Sequence, residues 1–127
     1  MIQVIGVWVK GFGTAGNFLK HPNYSKQFKE KLGFTPFPGT LNLKVEQEKF
    51  EEIKVTAENV YVFGFKENGN KFGGVNCFLC KINGLTGAII VPDKTTHPEN
   101  TMEIISEYGL VEKLKLKVGD TVHVEVE

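Results

Sequence analysis

Thr40 and Asn42 sit two apart in Phe37-Pro38-Gly39-Thr40-Leu41-Asn42-Leu43. The Pro/Gly turn opens into a strand pattern, and positions i and i+2 of a strand project from one face, so the Thr40 hydroxyl and the Asn42 amide converge. Neutral oxygens suit a hard cation. Mg²⁺ takes one or two protein oxygens and completes its octahedron with water and phosphate, so the pair fits an ion that arrives with a nucleotide. The plain alternative is a β-turn leading into a half-polar strand, because Pro/Gly turns followed by Thr commonly begin strands.

Gly11-Phe12-Gly13-Thr14-Ala15-Gly16 is a second candidate. Its glycines match the spacing of the dinucleotide fingerprint, which also needs a helix opening at the loop and an acidic residue about 20 positions on. The sequence predicts the next clear helix near Asn23, and the turn at 36–40 stands where the acid is needed, so a doubly wound nucleotide domain is set aside. The glycines still let backbone N–H groups approach an anion, which leaves a phosphate cradle or a plain flexible turn. His97 is the best acid/base residue by type, although a histidine before proline in a polar loop is more often solvated or capping. Glu103 and Glu107 lie four apart in a segment read as a short helix over 102–108, where they would share a face as paired carboxylates or as soluble surface. Cys77 and Cys80 fall in a strand pattern that puts their thiols on opposite faces, and no second Cys/His pair stands at zinc spacing, so they read as structural.

The elements that must position these residues are mostly strands. Residues 2–9 read as a strand running into the glycine loop. Asn23 is expected to cap a short helix with Tyr24, Phe28 and Lys31/Leu32 on one face and Gly33 as its stop. Leu41, Leu43 and Val45 alternate with Asn42 in a strand over 41–46, whereas 46–56 is polar and charged and reads as an exposed connection. Runs at 59–65 and 71–82 flank Asn68-Gly69, a strong hairpin signal, and Gly73-Gly74 suggests a bulge or a close approach of ligand to backbone. Asn83-Gly84 turns into 86–91, which Pro92 ends. Residues 110–116 carry apolar side chains toward the core, and Gly119-Asp120 leads into a last strand over 121–127. About six strands and two or three short helices, without alternating βα units, indicate a mainly β fold and a small six-stranded barrel, closed or nearly so.

Composition narrows the partners. A chain of 127 residues with 41% hydrophobic content is enough for one compact domain, 1–127. Fifteen basic and fifteen acidic residues cancel, leaving no broad positive field to hold a phosphate backbone, so nucleic acid is not an expected partner. No apolar run approaches the ~20 residues of a bilayer span and the N-terminus lacks a signal-peptide pattern, so neither membrane association nor export is expected. The expectation is a cytoplasmic monomer.

Four motifs follow one another: Gly11-Phe12-Gly13-Thr14-Ala15-Gly16-Asn17-Phe18-Leu19, Leu32-Gly33-Phe34-Thr35-Pro36-Phe37-Pro38-Gly39-Thr40-Leu41-Asn42-Leu43, Phe72-Gly73-Gly74-Val75, and Gly87-Ala88-Ile89-Ile90-Val91-Pro92-Asp93-Lys94-Thr95-Thr96-His97. In this order and spacing they closely resemble the archaeal CTP-dependent riboflavin kinase family. The match continues through Glu103-Ile104-Ile105 to Gly119-Asp120-Thr121-Val122, nearly the whole chain.

The resemblance implies a cradle-loop barrel that moves the terminal phosphate of CTP to the 5′-hydroxyl of riboflavin, giving FMN and CDP, with Mg²⁺ as cofactor. It implies that Gly11, Phe12, Gly13, Thr14, Ala15 and Gly16 form the loop over the nucleotide phosphates and that Thr40 and Asn42 seat Mg²⁺. Thr95 and Glu103 would contact the flavin, and Tyr108, Gly109, Leu110 and Val111 would line the base. Glu103 is then the candidate catalytic residue, orienting or deprotonating the ribityl hydroxyl. Two features depart from the family. It usually carries Arg where this chain has Val111, and the winged-helix domain N-terminal in some members is not among these residues, which removes the case for DNA binding. A non-catalytic flavin- or nucleotide-binding barrel is the alternative reading, and a structural barrel for protein contacts a third.

Overall fold

The computed structural model describes residues 1–11, 15–94 and 98–127, and for residues 15–17 the backbone alone. Strand β1 (Ile2–Val9) is followed by helices α1 (Ala15–Lys20) and α2 (Pro22–Leu32), strand β2 (Leu41–Lys44) and helix α3 (Gln47–Thr56). Short strands β3 (Val60–Val62), β4 (Phe65–Glu67) and β5 (Asn70–Phe72) come next. Long strands β6 (Val75–Ile82) and β7 (Leu85–Pro92), then β8 (Thr101–Ile105), helix α4 (Leu110–Lys113) and β9 (Thr121–Val126), complete the order.

Six strands close an antiparallel barrel in the order β6-β7-β8-β2-β1-β9, with β9 returning to β6. Closure depends on β6, which is occupied along one whole edge by β7 and divides its other edge. Residues 75–77 pair there with β3 and residues 80–82 with β9. Asn68 and Gly69, both at positive φ, turn β4 into β5 as a separate two-stranded hairpin.

Strand alternation sorts side chains into two layers. Leu41, Leu43, Phe78, Cys80, Ile82, Ile89, Met102, Ile104 and Val124 fill the barrel, each burial worth about 1.5–3 kcal/mol for a large aliphatic or aromatic side chain. The opposite parity of β6, β7 and β8 carries Val75, Cys77, Ala88, Ile90 and Ile105 outward, beneath Tyr24, Phe28 and Leu32 of α2. Cys77 and Cys80 thus face different layers, as the strand offset requires. Burial pushes both thiols up to about 12, so each stays protonated at neutral pH.

Several local expectations are corrected. The cap of α2 is His21, not Asn23: Pro22 takes the first helical position, where its missing N–H costs nothing, and His21 Nδ1 accepts from the Asn23 N–H at 3.1 Å. His21 Nε2–H then donates to Glu67 at 2.5 Å. Gly33, at φ 86°, stops the helix as expected. A helix also opens within the glycine motif, where Ala15 and Gly16 begin α1. The charged stretch 46–56 is not an exposed connection but α3, which buries Phe50 and Ile53, three apart, against the barrel interior. Residues 102–108 are not a helix either. Met102 and Ile104 point into the barrel from β8, which lies between β2 and β7. Four helices are therefore described in place of two or three.

Because β2 and β8 run antiparallel, α3, which follows the end of β2, and α4, which follows β8, sit at opposite ends of the barrel. Each contributes to its core, through Phe50 and Ile53 on one side and Leu110 on the other. Among the described residues, no helix is long and apolar enough to cross a membrane.

Candidate functional site

Strand register assembles the polar residues. Val9 pairs with Asn42, Asn42 with Glu103, and Glu103 with Ile90, so one row crosses β1, β2, β8 and β7 on the outer surface of the barrel. Directly opposed residues share a face, so Asn42 and Glu103 are neighbours although 61 positions separate them in the chain. Both are buried, at 5% and 7% exposure. The helical pairing of Glu103 with Glu107 is therefore replaced: Glu107 is exposed beyond the end of β8, and the partner of Glu103 across the sheet is an amide.

Asn42 Nδ2 donates to Thr40 Oγ1 at 3.3 Å and, more weakly, to Thr40 O at 3.5 Å. Asn42 Oδ1 is buried with no hydrogen-bond partner among the described residues. A buried acceptor left with no partner at all costs about 1–3 kcal/mol. Gly11 lies directly on this amide: a Cβ there would stand 2.1 Å from Asn42 Nδ2. The structure thus brings Gly11, Thr40, Asn42 and Glu103 together. Ala15 and Gly16 open α1, while Phe12, Gly13, Thr14, Thr95 and His97 lie outside the described residues. The chain leading toward Thr95 is anchored at Asp93, which accepts from Asn76 Nδ2 at 2.9 Å and from the Tyr61 hydroxyl.

On one side of Thr40 is a cavity of about 220 Å³, lined by Tyr108, Gly109, Leu110 and Val111 together with Phe37 and Thr40 itself. Buried Ser106 organises it. Its carbonyl accepts the Phe37 N–H at 2.7 Å, its hydroxyl donates to Thr86 O at 2.8 Å, and the same oxygen accepts the Tyr108 N–H at 3.3 Å. The carbonyls of Gly109, Leu110 and Val111 accept N–H groups from Lys113, Leu114 and Leu116, each at 2.9 Å. Only Leu110 of the four turns fully into the core.

Glu103 lines a second, smaller cavity of about 60 Å³ with Phe50, Lys54, Thr101, Pro98 and Val91. Phe50 and Lys54 come from α3, and sequence reasoning missed both. Lys54 Nζ is 2.8 Å from Glu51 Oε1 and 4.5 Å from the centre of the Phe50 ring. The usable signal was the three-residue spacing of Phe50 and Ile53 in a charged run, which marks one buried helix stripe.

The closed antiparallel barrel thus carries a buried polar row, Asn42 and Glu103, next to cavities of about 220 and 60 Å³. The comparisons with known proteins identify the class. The CTP-dep_RFKase family model, described as domain of unknown function DUF120, matches residues 8–126. A riboflavin kinase of Archaeoglobus fulgidus is 41% identical over 127 residues, covering 98% of this chain and 54% of the relative. One of Pyrobaculum aerophilum is 38% identical, covering 98% and 60%, and one of Methanocella arvoryzae is 42% identical, covering 96% and 56%. The chain belongs to the CTP-dependent riboflavin kinase family. It spans between half and three-fifths of the length of these curated relatives, 54%, 60% and 56% in turn.

Proposed function

We propose that this chain transfers the terminal phosphate of CTP to the 5′-hydroxyl of riboflavin, giving FMN and CDP. The observation that carries the reading is the polar row of Thr40, Asn42 and Glu103, in which Thr40 lines the larger cavity and Glu103, opposite the buried Asn42, lines the smaller. The names of the relatives support riboflavin as acceptor, and the family name supports CTP as donor.

Phosphoryl transfer asks a protein mainly to hold donor and acceptor in line and to neutralise charge. Thr40 Oγ1 and Asn42 Oδ1 would hold Mg²⁺. The fit rests on the unpartnered, buried Oδ1 and on a neutral oxygen pair that leaves coordination positions for phosphate and water. When bound, the ion neutralises charge on the terminal phosphates. The loop from Gly11 to Gly16 covers the phosphates with backbone N–H groups, beginning where Gly11 meets Asn42. Cytosine occupies the cavity at Tyr108–Val111. The first-turn N–H groups of α4 have no intrahelical acceptor and donate to the base acceptors O2 and N3. Riboflavin lies on the Glu103 side, contacted by Thr95. The Glu103 carboxylate accepts a hydrogen bond from the 5′-hydroxyl and takes its proton as the new O–P bond forms and the bond to the departing CDP oxygen breaks.

The test is FMN formation from riboflavin and Mg²⁺ with ATP, CTP, GTP and UTP in separate reactions. Turnover with CTP and little with the others is expected. Equal turnover with ATP and CTP overturns the donor assignment, and no FMN with any of the four overturns the kinase reading in favour of a non-catalytic binding barrel.

A further inference from the structure

The ring of Phe37 has a setting unlike that of the other exposed hydrophobics. It is 46% exposed, yet it lines the 220 Å³ cavity opposite Tyr108–Val111. Its backbone is stiff, because Pro36 and Pro38 flank it and its N–H is bound to Ser106 O at 2.7 Å. Gly109 makes room for the ring, and Gly39 lies in ordinary contact with it. A Cβ on Gly109 would stand 3.1, 3.3 and 3.4 Å from its three outermost carbons, and one on Gly39 would stand 3.9 Å from the same end. The ring is thus seated on backbone and leaves much of its surface open to the cavity. Ile5, Val55, Phe63 and Val118 are more exposed and line neither of the cavities at the polar row.

We propose that Phe37 is the stacking platform for the pyrimidine of the bound nucleotide. The proposal rests on the preceding reading, which puts the base in this cavity. A planar, uncharged π-face held rigidly beside main-chain donors separates two tasks. The ring contributes affinity for any flat base, and the α4 backbone selects among bases by hydrogen bonding. Phe37 is accordingly a binding residue for the donor, remote from the Glu103 side where the flavin is placed.

The experiment measures CDP affinity by calorimetry in Mg²⁺, riboflavin affinity by flavin fluorescence, and the KM for CTP, for the parent, Phe37→Leu and Phe37→Trp, with melting temperatures for all three. Phe37→Leu is expected to weaken CDP about tenfold and to raise KM for CTP similarly, with a smaller fall in kcat and no change in riboflavin affinity. Phe37→Trp should restore CDP affinity to within about threefold of the parent, which a purely structural role for the phenyl ring would not produce. The CTP to UTP ratio should stay the same in both. If Phe37→Leu binds CDP as tightly as a parent that makes FMN, or if both variants lose CDP and riboflavin together, this inference fails and the kinase reading stands. If the parent binds no cytidine nucleotide, both fail.

Discussion

Asn42 and Leu43 are adjacent in β2 and meet opposite environments. Leu43 is fully buried in the barrel among other apolar side chains, where every atom it presents is matched. Asn42 is nearly as buried on the outer surface, but its Oδ1 has no partner among the described residues and Gly11 is drawn onto its amide. The interior is filled with apolar contacts, whereas the outer row holds a buried acceptor whose partner is not among the described residues.

The comparison is broken most sharply by truncating each residue. On the proposed function, Asn42→Ala should lower FMN formation by about 10²–10³-fold, because the lost oxygen would act on charge present only with nucleotide bound. Its melting temperature should be no lower than slightly below the parent's, since the truncation removes a buried acceptor together with only two long hydrogen bonds from Nδ2. Leu43→Ala should do the reverse, costing about 2–5 kcal/mol of stability by denaturant melt while the folded fraction keeps its turnover per molecule. An Asn42→Ala protein that melts far below the parent, or that is fully active, removes the distinction.

Gly11→Ala should come next. A methyl 2.1 Å from Asn42 Nδ2 must displace the amide or the loop, and about 100-fold of turnover goes with a displacement near 1 Å. Steady-state kinetics beside a thermal melt will separate this from unfolding, since Gly11 is exposed and its backbone can shift at small cost.

The two layers should behave alike toward thiol reagents, which sharpens the contrast with the polar row. Burial raises Cys77 and Cys80 to about 12, one in each layer, so neither should react at pH 8 in the folded protein. The thiol form is favoured by folding. This contribution is therefore intact below the ordinary thiol value of about 8.5 and is lost as pH rises from there through about 12. A pH series of melts and a timed thiol titration check both points.

The smallest effect is expected from Val111→Ile, which changes a half-buried side chain but no backbone donor. The CTP to UTP ratio should stay within about twofold of the parent if main-chain groups read the base. A swap that erases the preference would show that side chains do the reading.

Much of the barrel was legible locally. The alternation of Leu41 and Leu43 with Asn42, the Asn68-Gly69 and Asn83-Gly84 turns and the Gly33 stop each rest on short-range geometry that the structure reproduces. The errors arose where tertiary burial overrode local pattern. The helix α3 has only Phe50 and Ile53 buried in a charged run, so its weak stripe looked like solvated loop. Met102-Glu103-Ile104-Ile105 is buried on both faces, which blurs the alternation that marks a strand. The candidate residues could be named from residue types and from the family pattern, but how the fold assembles them could not. The juxtaposition of Asn42 with Glu103 depends on register between distant strands, and the seating of Phe37 on Gly109 depends on Ser106 bridging two turns.

The most direct measurement is the Mg²⁺ dependence of CDP affinity in the parent and in Asn42→Ala, by calorimetry with Mg²⁺ and with EDTA. If the outer polar row is the seat of the nucleotide-borne ion, Mg²⁺ should tighten CDP in the parent and make little difference in the variant, at equal melting temperature. An equal gain from Mg²⁺ in both proteins would contradict the account.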